Sequence, residues 1–429
     1  MPEQKENVEH SHHHHHHHHH HHKSKKKTKN KFLKFLGKYK LQITGVAVFA
    51  VLLTCLIVYV VKEPPVEEGQ ETSPSGQVQA TEPPIQVEVG RLALQAPYFS
   101  EPLPLTRDGA RAWMNAPITA DVAQVLAAYH DSGKRQDIGA PVALSFDVLS
   151  LPADTTVVAF LLEVADNKDF DGAWSYDLDA GERSTQLWNL KTGTTYHYRL
   201  TAYLSDGTES GIFGSFETEA GLRIFNIDGI RNVRDLGGWA TVEGKVLPQG
   251  LLYRGSELDG AVQSTFKITE AGRDELLTKL GVKTDMDLRA PGVGEAVLGA
   301  NVNYTAYGAP SPVGIFSETG KSAIRNVFAD LAKPENYPIY LHGTQGDDRT
   351  GTVCYLLGAL LGVSEEDLIR EYELSALKDN TVSRDQLRDM VNRLETYAGE
   401  TMQEKVENYL LETGITPPQI AAIRSIWLG

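Results

Sequence analysis

The chain predicts an all-β sandwich followed by an α/β domain, a sheet flanked by helices, with one transmembrane helix near the N-terminus. Three observations predict this. Residues 41–61 are a charge-free apolar run. Residues 136–219 alternate apolar and polar positions between closely spaced turns. Residues 220–429 mix short apolar strand-like runs with capped helical segments, and helices dominate after 350. A length of 429 residues suits two or three domains. Only 2 cysteines exclude a disulfide framework or a cysteine-rich zinc module.

Residues 1–40 form a His- and Lys-rich tail with 10 Lys and 3 Glu. The whole chain has 41 Lys+Arg against 56 Asp+Glu, a formal net charge of −15, so the part after the tail carries −22. A body that acidic excludes nucleic acid as its partner. His12 to His22 is an uninterrupted run of eleven histidines. It reads as a purification tag, a slippage tract or a metal-binding run, and without fixed geometry it specifies no metal. No cofactor is implied, and no metal constellation occurs outside that run.

The run at 41–61, LQITGVAVFAVLLTCLIVYVV, would span about 31 Å as a helix, enough for a hydrocarbon core. Nine lysines precede it between Lys23 and Lys40, whereas Glu63, Glu67 and Glu68 come after it. The positive-inside bias expects a single-pass cell-membrane protein, N-terminus cytoplasmic and residues 62–429 outside. Phe32, Leu33, Phe35, Leu36 and Tyr39 alternate with lysines, which suits an anionic membrane surface. Cys55 in the span and Cys354 in a later apolar helix cannot pair, so the outer body has no disulfide, which fits a bacterial surface protein.

Residues 62–84, rich in Pro, Glu, Gly, Ser and Thr, read as an extended linker. Residues 85–135 read as a small helical or irregular region, with a helix over 118–129, Thr119 as its N-cap and Ser132-Gly133 as its stop. Residues 136–219 carry the runs VALSFDVLS, TVVAFLLEVA, YHYRLTAYLS and IFGSFETE. Turns at 152–154, Gly193 and Asp206-Gly207 separate them, as in a small sandwich. The stretch from Leu187 to Arg199, LWNLKTGTTYHYR, resembles the "L-x-x-L-x-x-G-T-x-Y-x-Y-R" segment of fibronectin type III domains. Such a module implies spacing or ligand contact rather than chemistry.

In residues 220–429 the expected strands are 251–254, 284–288, 302–307 and 337–342. Ser364 with Asp367 and Ser383 with Gln386 fit capping boxes, and Thr416-Pro417 fits an N-cap followed by N1. The stretch from Tyr337 to Val353, YPIYLHGTQGDDRTGTV, runs from an apolar strand through a polar loop into an apolar helix over 352–361. Unsatisfied N–H groups at a helix start cradle an anion. Arg349 can add a bidentate clamp on phosphate oxygens, and Thr350 can hydrogen-bond into the loop. Residues 344–349 read either as a phosphate-binding loop or as a structural turn.

This stretch resembles the signature loop of the cysteine-dependent protein phosphatases, "H-C-x-x-x-x-x-R-S/T-G". Its "H-C-x-x-G-x-D-R-T-G" form resembles the bacterial tyrosine-protein phosphatase group with dual or lipid specificity. Asn232-Val233-Arg234-Asp235-Leu236-Gly237-Gly238 is similar to that group's "N-x-R-D-L-G-G" opening. Leu252-Tyr253-Arg254-Gly255-Ser256 is similar to its "L-Y-R-S" strand, and the segment ending Asp287-Leu288-Arg289 to its "D-L-R" strand. The resemblance implies a cysteine-phosphatase-like α/β domain and dephosphorylation of phosphotyrosine or related phosphoesters. It implies Arg349 and the backbone of Thr344, Gln345, Gly346, Asp347, Thr350 and Gly351 as phosphate-binding groups. It also implies Asp287 as the general acid, Asp348 as a group orienting Arg349 or water, and His342 as the group beneath the nucleophile.

The nucleophilic cysteine of that family falls on Gly343, which has no side chain to attack phosphorus. A position that is often basic in the family is Asp347 here, and two adjacent carboxylates weaken dianion binding. The expectation is therefore a pseudophosphatase that binds a phosphorylated protein, a phosphoester or a protein partner outside the cell. The alternatives are an active phosphatase with another nucleophile or a sequence error at 343, and a surface adhesion or scaffold protein.

Overall fold

The computed structural model describes residues 92–379, 382 and 384–429. The expected tail, the membrane span at 41–61 and the linker at 62–84 lie outside the described residues, as do Cys55 and the Ser383 cap. Among the described residues, no helix is long and apolar enough to cross a membrane.

The N-terminal part contains β1 (Ala93–Gln95), α1 (Asp108–Asn115) and α2 (Val122–Asp131). Next come the strands β2 (Val142–Ser145), β3 (Asp147–Ser150), β4 (Val157–Ala165), β5 (Trp174–Asp179), β6 (Ser184–Leu187), β7 (Thr195–Leu204) and β8 (Glu209–Glu217). A four-stranded antiparallel sheet of order β5-β4-β7-β8 faces the pairs β2-β6 and β1-β3. Strand β7 shows why: Tyr196, Tyr198, Leu200 and Ala202 turn inward at every second residue and meet Phe160, Leu144 and Leu187.

Helix α2 begins three to four residues later than the spacing suggests. Ala120 N–H donates to the Pro117 carbonyl (2.8 Å), closing a turn over the expected start. Asp121, not Thr119, caps the helix by accepting from Ala123 N–H at 2.9 Å. The larger difference is where this segment packs. Trp113 and Leu126, both fully buried, join the core of the C-terminal domain. Arg370 donates to the Trp113 carbonyl at 2.8 Å and Arg384 to that of Ile118 at 2.8 Å. Residues 107–139 therefore belong structurally with the domain after residue 220. Truncating Trp113 to Ala would cost about 3–5 kcal/mol.

The C-terminal domain adds β9 (Arg234–Asp235), β10 (Leu252–Gly255), α3 (Glu270–Asp274), β11 (Thr284–Asp287), β12 (Asn303–Ala306), α4 (Glu318–Leu331) and β13 (Ile339–His342). It closes with α5 (Asp348–Leu360), α6 (Glu365–Glu373), α7 (Ala376–Asp379), α8 (Arg384–Leu394), α9 (Met402–Thr413) and α10 (Pro417–Leu428). The sheet order is β12-β11-β13-β10-β9, with the first four strands parallel and β9 antiparallel. All four residues of β13 are buried, as expected for a central parallel strand covered on both faces. Helix α5 is buried from Thr350 to Leu360 because α6 and α9 pack around it. Ser364 accepts from Asp367 N–H as α6 begins, and Thr416 caps α10 with proline after it.

Candidate functional site

The chain leaves the end of central strand β13, turns through residues 343–347 and enters α5. Ligand sites in parallel sheets form at this carboxyl end of the strands. Helix α5 starts four residues before the expected 352, which puts Asp348, Arg349 and Thr350 on its first turn. Two glycines let the loop lie flat on the sheet end. Gly346 has φ +78°, and a Cβ there would sit 2.6 Å from the Gly255 backbone. A Cβ on Gly255 would strike the Tyr340 hydroxyl at 2.3 Å.

Residues 343–350 line a cavity of about 180 Å³. Among the described residues, no N–H of residues 344–350 donates to another protein group. Arg349 is exposed and has no ion pair there. The arrangement is a concave ring of N–H donors with a free guanidinium at its rim, suited to an anion.

The three carbonyls at the middle of the loop are taken by other elements. Glu257 N–H donates to Thr344 (2.9 Å), Asn232 Nδ2 to Gln345 (3.1 Å) and Arg254 Nη2 to Gly346. Arg254 also donates Nη1 to Glu371 (2.6 Å), and Arg234 takes the other Glu371 oxygen at 2.8 Å. Thus Arg234 and Arg254 are internal struts that reach α6. Burial pushes the Arg234 guanidinium down to about 10, with its neighbour Arg254 acting in the same direction. Burial alone would raise the Glu371 carboxyl, but the two arginines outweigh it and hold it below its ordinary value. Asp235 pairs with Arg223 at 3.3 Å instead of with Arg234.

Asp347 does not face the cavity as a bare charge. Lys378 Nζ lies 3.1 Å from its carboxylate and also reaches the Gln345 side chain, while Asn232 Nδ2 donates to it at 2.9 Å. Burial still pushes the Asp347 carboxyl up, against the pull of Lys378. Asp348 accepts from the Tyr372 hydroxyl at 3.2 Å. The two adjacent carboxylates are thus each occupied by a donor. Gly351 sits against the Tyr372 ring, where a Cβ would come within 2.6 Å, so it packs the helix and does not line the cavity.

His342 lies under the loop between two acceptors, the Gly343 carbonyl at Nδ1 and Asp285 at Nε2, both at 2.9 Å. Only the imidazolium donates to both. Burial opposes that charge, but Asp285 outweighs burial and raises the pKa of His342.

Asp287 differs from the acid role that the resemblance implies. It is level with His342 across β11 and β13, but Arg289 grips its oxygens at 2.7–3.0 Å and Tyr304 donates to it at 2.9 Å. Burial would raise its pKa; the Arg289 hydrogen bonds overcome that and depress it. A carboxylate held ionised and saturated with donors is a poor proton donor. Arg289 also binds Glu257 and Asp259, so the site has a buried ion cluster beside it. Among the described residues, no group of three or more His, Cys, Asp or Glu side chains is arranged to hold a metal.

Gly343 is buried, and a Cβ added there would meet only Thr350 Oγ1 at 3.5 Å and Arg349 Cβ at 3.7 Å, ordinary contacts. Thr350 Oγ1 is buried and has no hydrogen-bond partner. Cys354, eleven residues on, is buried in α5, and burial pushes its thiol up to about 12. Glu371, Lys378, Ser375 and Tyr372 were not singled out by sequence. The one available signal was a lysine inside the otherwise apolar start of α7.

Residues 225–309 and 311–429 match the model of the tyrosine phosphatase family. A candidate tyrosine-protein phosphatase of Cupriavidus necator is 28% identical over 172 residues, covering 34% of this chain and 60% of the relative. The chain thus spans about three-fifths of the length of that curated relative. The core catalytic domain of the PP-IP phosphatase SIW14 from S. cerevisiae, solved with citrate, is 17% identical, with a TM-score of 0.27. That match covers 38% of this chain and 93% of the yeast one. The family match falls within the C-terminal domain.

Proposed function

We propose that this protein is a pseudophosphatase: a tyrosine-phosphatase-family domain that binds phosphoryl groups without hydrolysing them, held outside the cell by the apolar span at 41–61. The observation that carries the reading is Gly343. The loop around it keeps its free N–H donors and its unpaired arginine, yet the attacking position has no side chain. The nearby substitutes are unsuited to attack. Cys354 is buried with its thiol at about 12, Asp347 is held by Lys378, and Asp348 is bonded to Tyr372. The sandwich, fibronectin type III-like in this reading, spaces the domain from the membrane, and the ligand is a phosphorylated protein or phosphoester.

The test is hydrolysis of para-nitrophenyl phosphate by the full chain, beside Gly343→Cys, Arg349→Ala and the double variant. Loss of a nucleophile costs on the order of a millionfold in another enzyme class, so the native form is expected at background. Gly343→Cys is expected to gain activity that Arg349→Ala removes. Turnover by the native chain above the Arg349→Ala control overturns the reading.

A further inference from the structure

Thr350 is fully buried on the first turn of α5, yet its hydroxyl has no partner. A helical threonine ordinarily donates to the carbonyl four residues back. Thr352 does so, to Asp348 at 2.7 Å. For Thr350 that carbonyl belongs to Gly346, and Arg254 Nη2 already donates to it. The hydroxyl is left facing the space beside Gly343, where a Cβ would stand 3.5 Å from it. An orphaned buried hydroxyl calls for a partner, and in a cavity lined by free N–H donors an anion oxygen can supply it.

We infer that the ligand of this loop is free inorganic phosphate, and that Thr350 Oγ1 binds its fourth oxygen in the space beside Gly343. This rests on the phosphoryl-binding reading above and names its ligand. The N–H groups of residues 344–350 and the Arg349 guanidinium serve three oxygens of a tetrahedral anion. A phosphate monoester has only three unsubstituted oxygens, and its fourth carries the organic group out through the mouth. Free phosphate, with all four oxygens bare, can sit inverted, one oxygen towards the floor and three against the ring; an ester turned that way would drive its organic group into the ring. The absence of a side chain at 343 lets the floor oxygen reach the hydroxyl. A side chain at 343 would fill the same space, so the two features act together: glycine opens the floor, and threonine supplies its donor.

The experiment is calorimetric titration of the full chain with inorganic phosphate and with phenyl phosphate. It compares the native chain with Thr350→Val, Gly343→Ala and Arg349→Ala, with a thermal melt of each. Phosphate is expected to bind the native chain more tightly than phenyl phosphate. Thr350→Val and Gly343→Ala are each expected to weaken phosphate about tenfold, the worth of one hydrogen bond to a charged group, and to leave phenyl phosphate nearly unchanged. Thr350→Val is expected to melt at or above the native temperature without phosphate, since an orphaned hydroxyl is removed. The inference fails if both variants bind phosphate as the native chain does while Arg349→Ala loses it; phosphoryl binding then stands alone. It also fails if both anions weaken equally. If the native chain binds neither anion, the underlying reading falls with it.

Discussion

Lys378 ends its side chain 3.1 Å from the carboxylate of Asp347, and 1% of the lysine side chain is exposed. The pair lies behind the anion loop and neutralises the carboxylate that looked most hostile to phosphate. Lys378→Met leaves the half-buried Asp347 without its lysine, at an expected cost of up to about 3 kcal/mol near pH 7, less than for a fully buried pair. The sign comes from the carboxyl, whose pKa burial already raises and which would rise further. An acid raised on folding destabilises the folded state when ionised. The deficit is therefore full above the raised pKa and shrinks as pH falls through it. Urea midpoints at pH 7 and pH 5 should show the deficit narrowing at pH 5. Equal deficits at the two pH values would remove Asp347 from the explanation. Adding Asp347→Asn should restore much of the loss.

Glu371→Gln should damage both stability and anion binding. It strips the charge partner from two buried arginines, Arg234 and Arg254, for about 3–5 kcal/mol. Arg254 also holds the Gly346 carbonyl, so the loop loosens with it. Arg349→Ala, whose side chain is exposed, should lose binding while its unfolding midpoint hardly moves. The contrast is read from urea melts and phosphate titration of the two variants. A stable Glu371→Gln protein with intact binding would contradict the strut role.

Stability should have a plateau bounded on both sides by this site. Asp287 is depressed below its ordinary 3.8, so its contribution is full above that value and lost as pH falls through the lower folded pKa. His342 is raised above 6.5, so its contribution is full below 6.5 and lost as pH rises through the higher folded value. Thermal melts across pH should fall at both ends. His342→Asn should flatten the alkaline slope and soften the acid one without abolishing it, since His342 helps depress Asp287 but Arg289 still holds it. An unchanged alkaline slope in that variant would place the titration elsewhere.

Cys354 should resist alkylation. With its thiol at about 12 and no solvent access, iodoacetamide at pH 8 should leave the Cys354 peptide unmodified until the protein unfolds. Peptide mapping by mass spectrometry separates it from Cys55. Rapid native labelling at Cys354 would reopen it as a nucleophile.

The central strands were legible because apolar runs such as Ile339 to Leu341 have no other use in a short segment. The loop between β13 and α5 was legible because its polar residues interrupt two apolar stretches. The start of α5 was not. Asp347, Asp348 and Arg349 look like loop residues, although acidic residues in a first helical turn are favoured by the helix dipole. Asp287 shows the limit of a motif: it places the residue at a strand end but says nothing of Arg289 and Tyr304 closing on it. Glu371 is 117 residues from Arg254, and Lys378 is 31 from Asp347, distances at which local pattern has no purchase. Trp113 was the neglected signal in the segment set apart as 85–135, since a large aromatic needs a core and that segment has too little chain to make one.

The packing of residues 107–139 has a consequence for how the protein is cut and rearranged. From β1 in the sandwich, the chain passes to the α1–α2 layer, returns for β2 to β8, and crosses again near Arg223. Arg223 fastens the last crossing to the Asn189 and Leu190 carbonyls at 2.9 and 3.0 Å. With three crossings, a protease nick at any one of them leaves the body of the sandwich and the C-terminal domain joined by the other two. A swing of one body against the other would have to bend all three at once. The sandwich is also no removable bead on a string: a recombination event that exchanged residues 140–220 would have to preserve the ends of a helical layer belonging to the neighbouring domain.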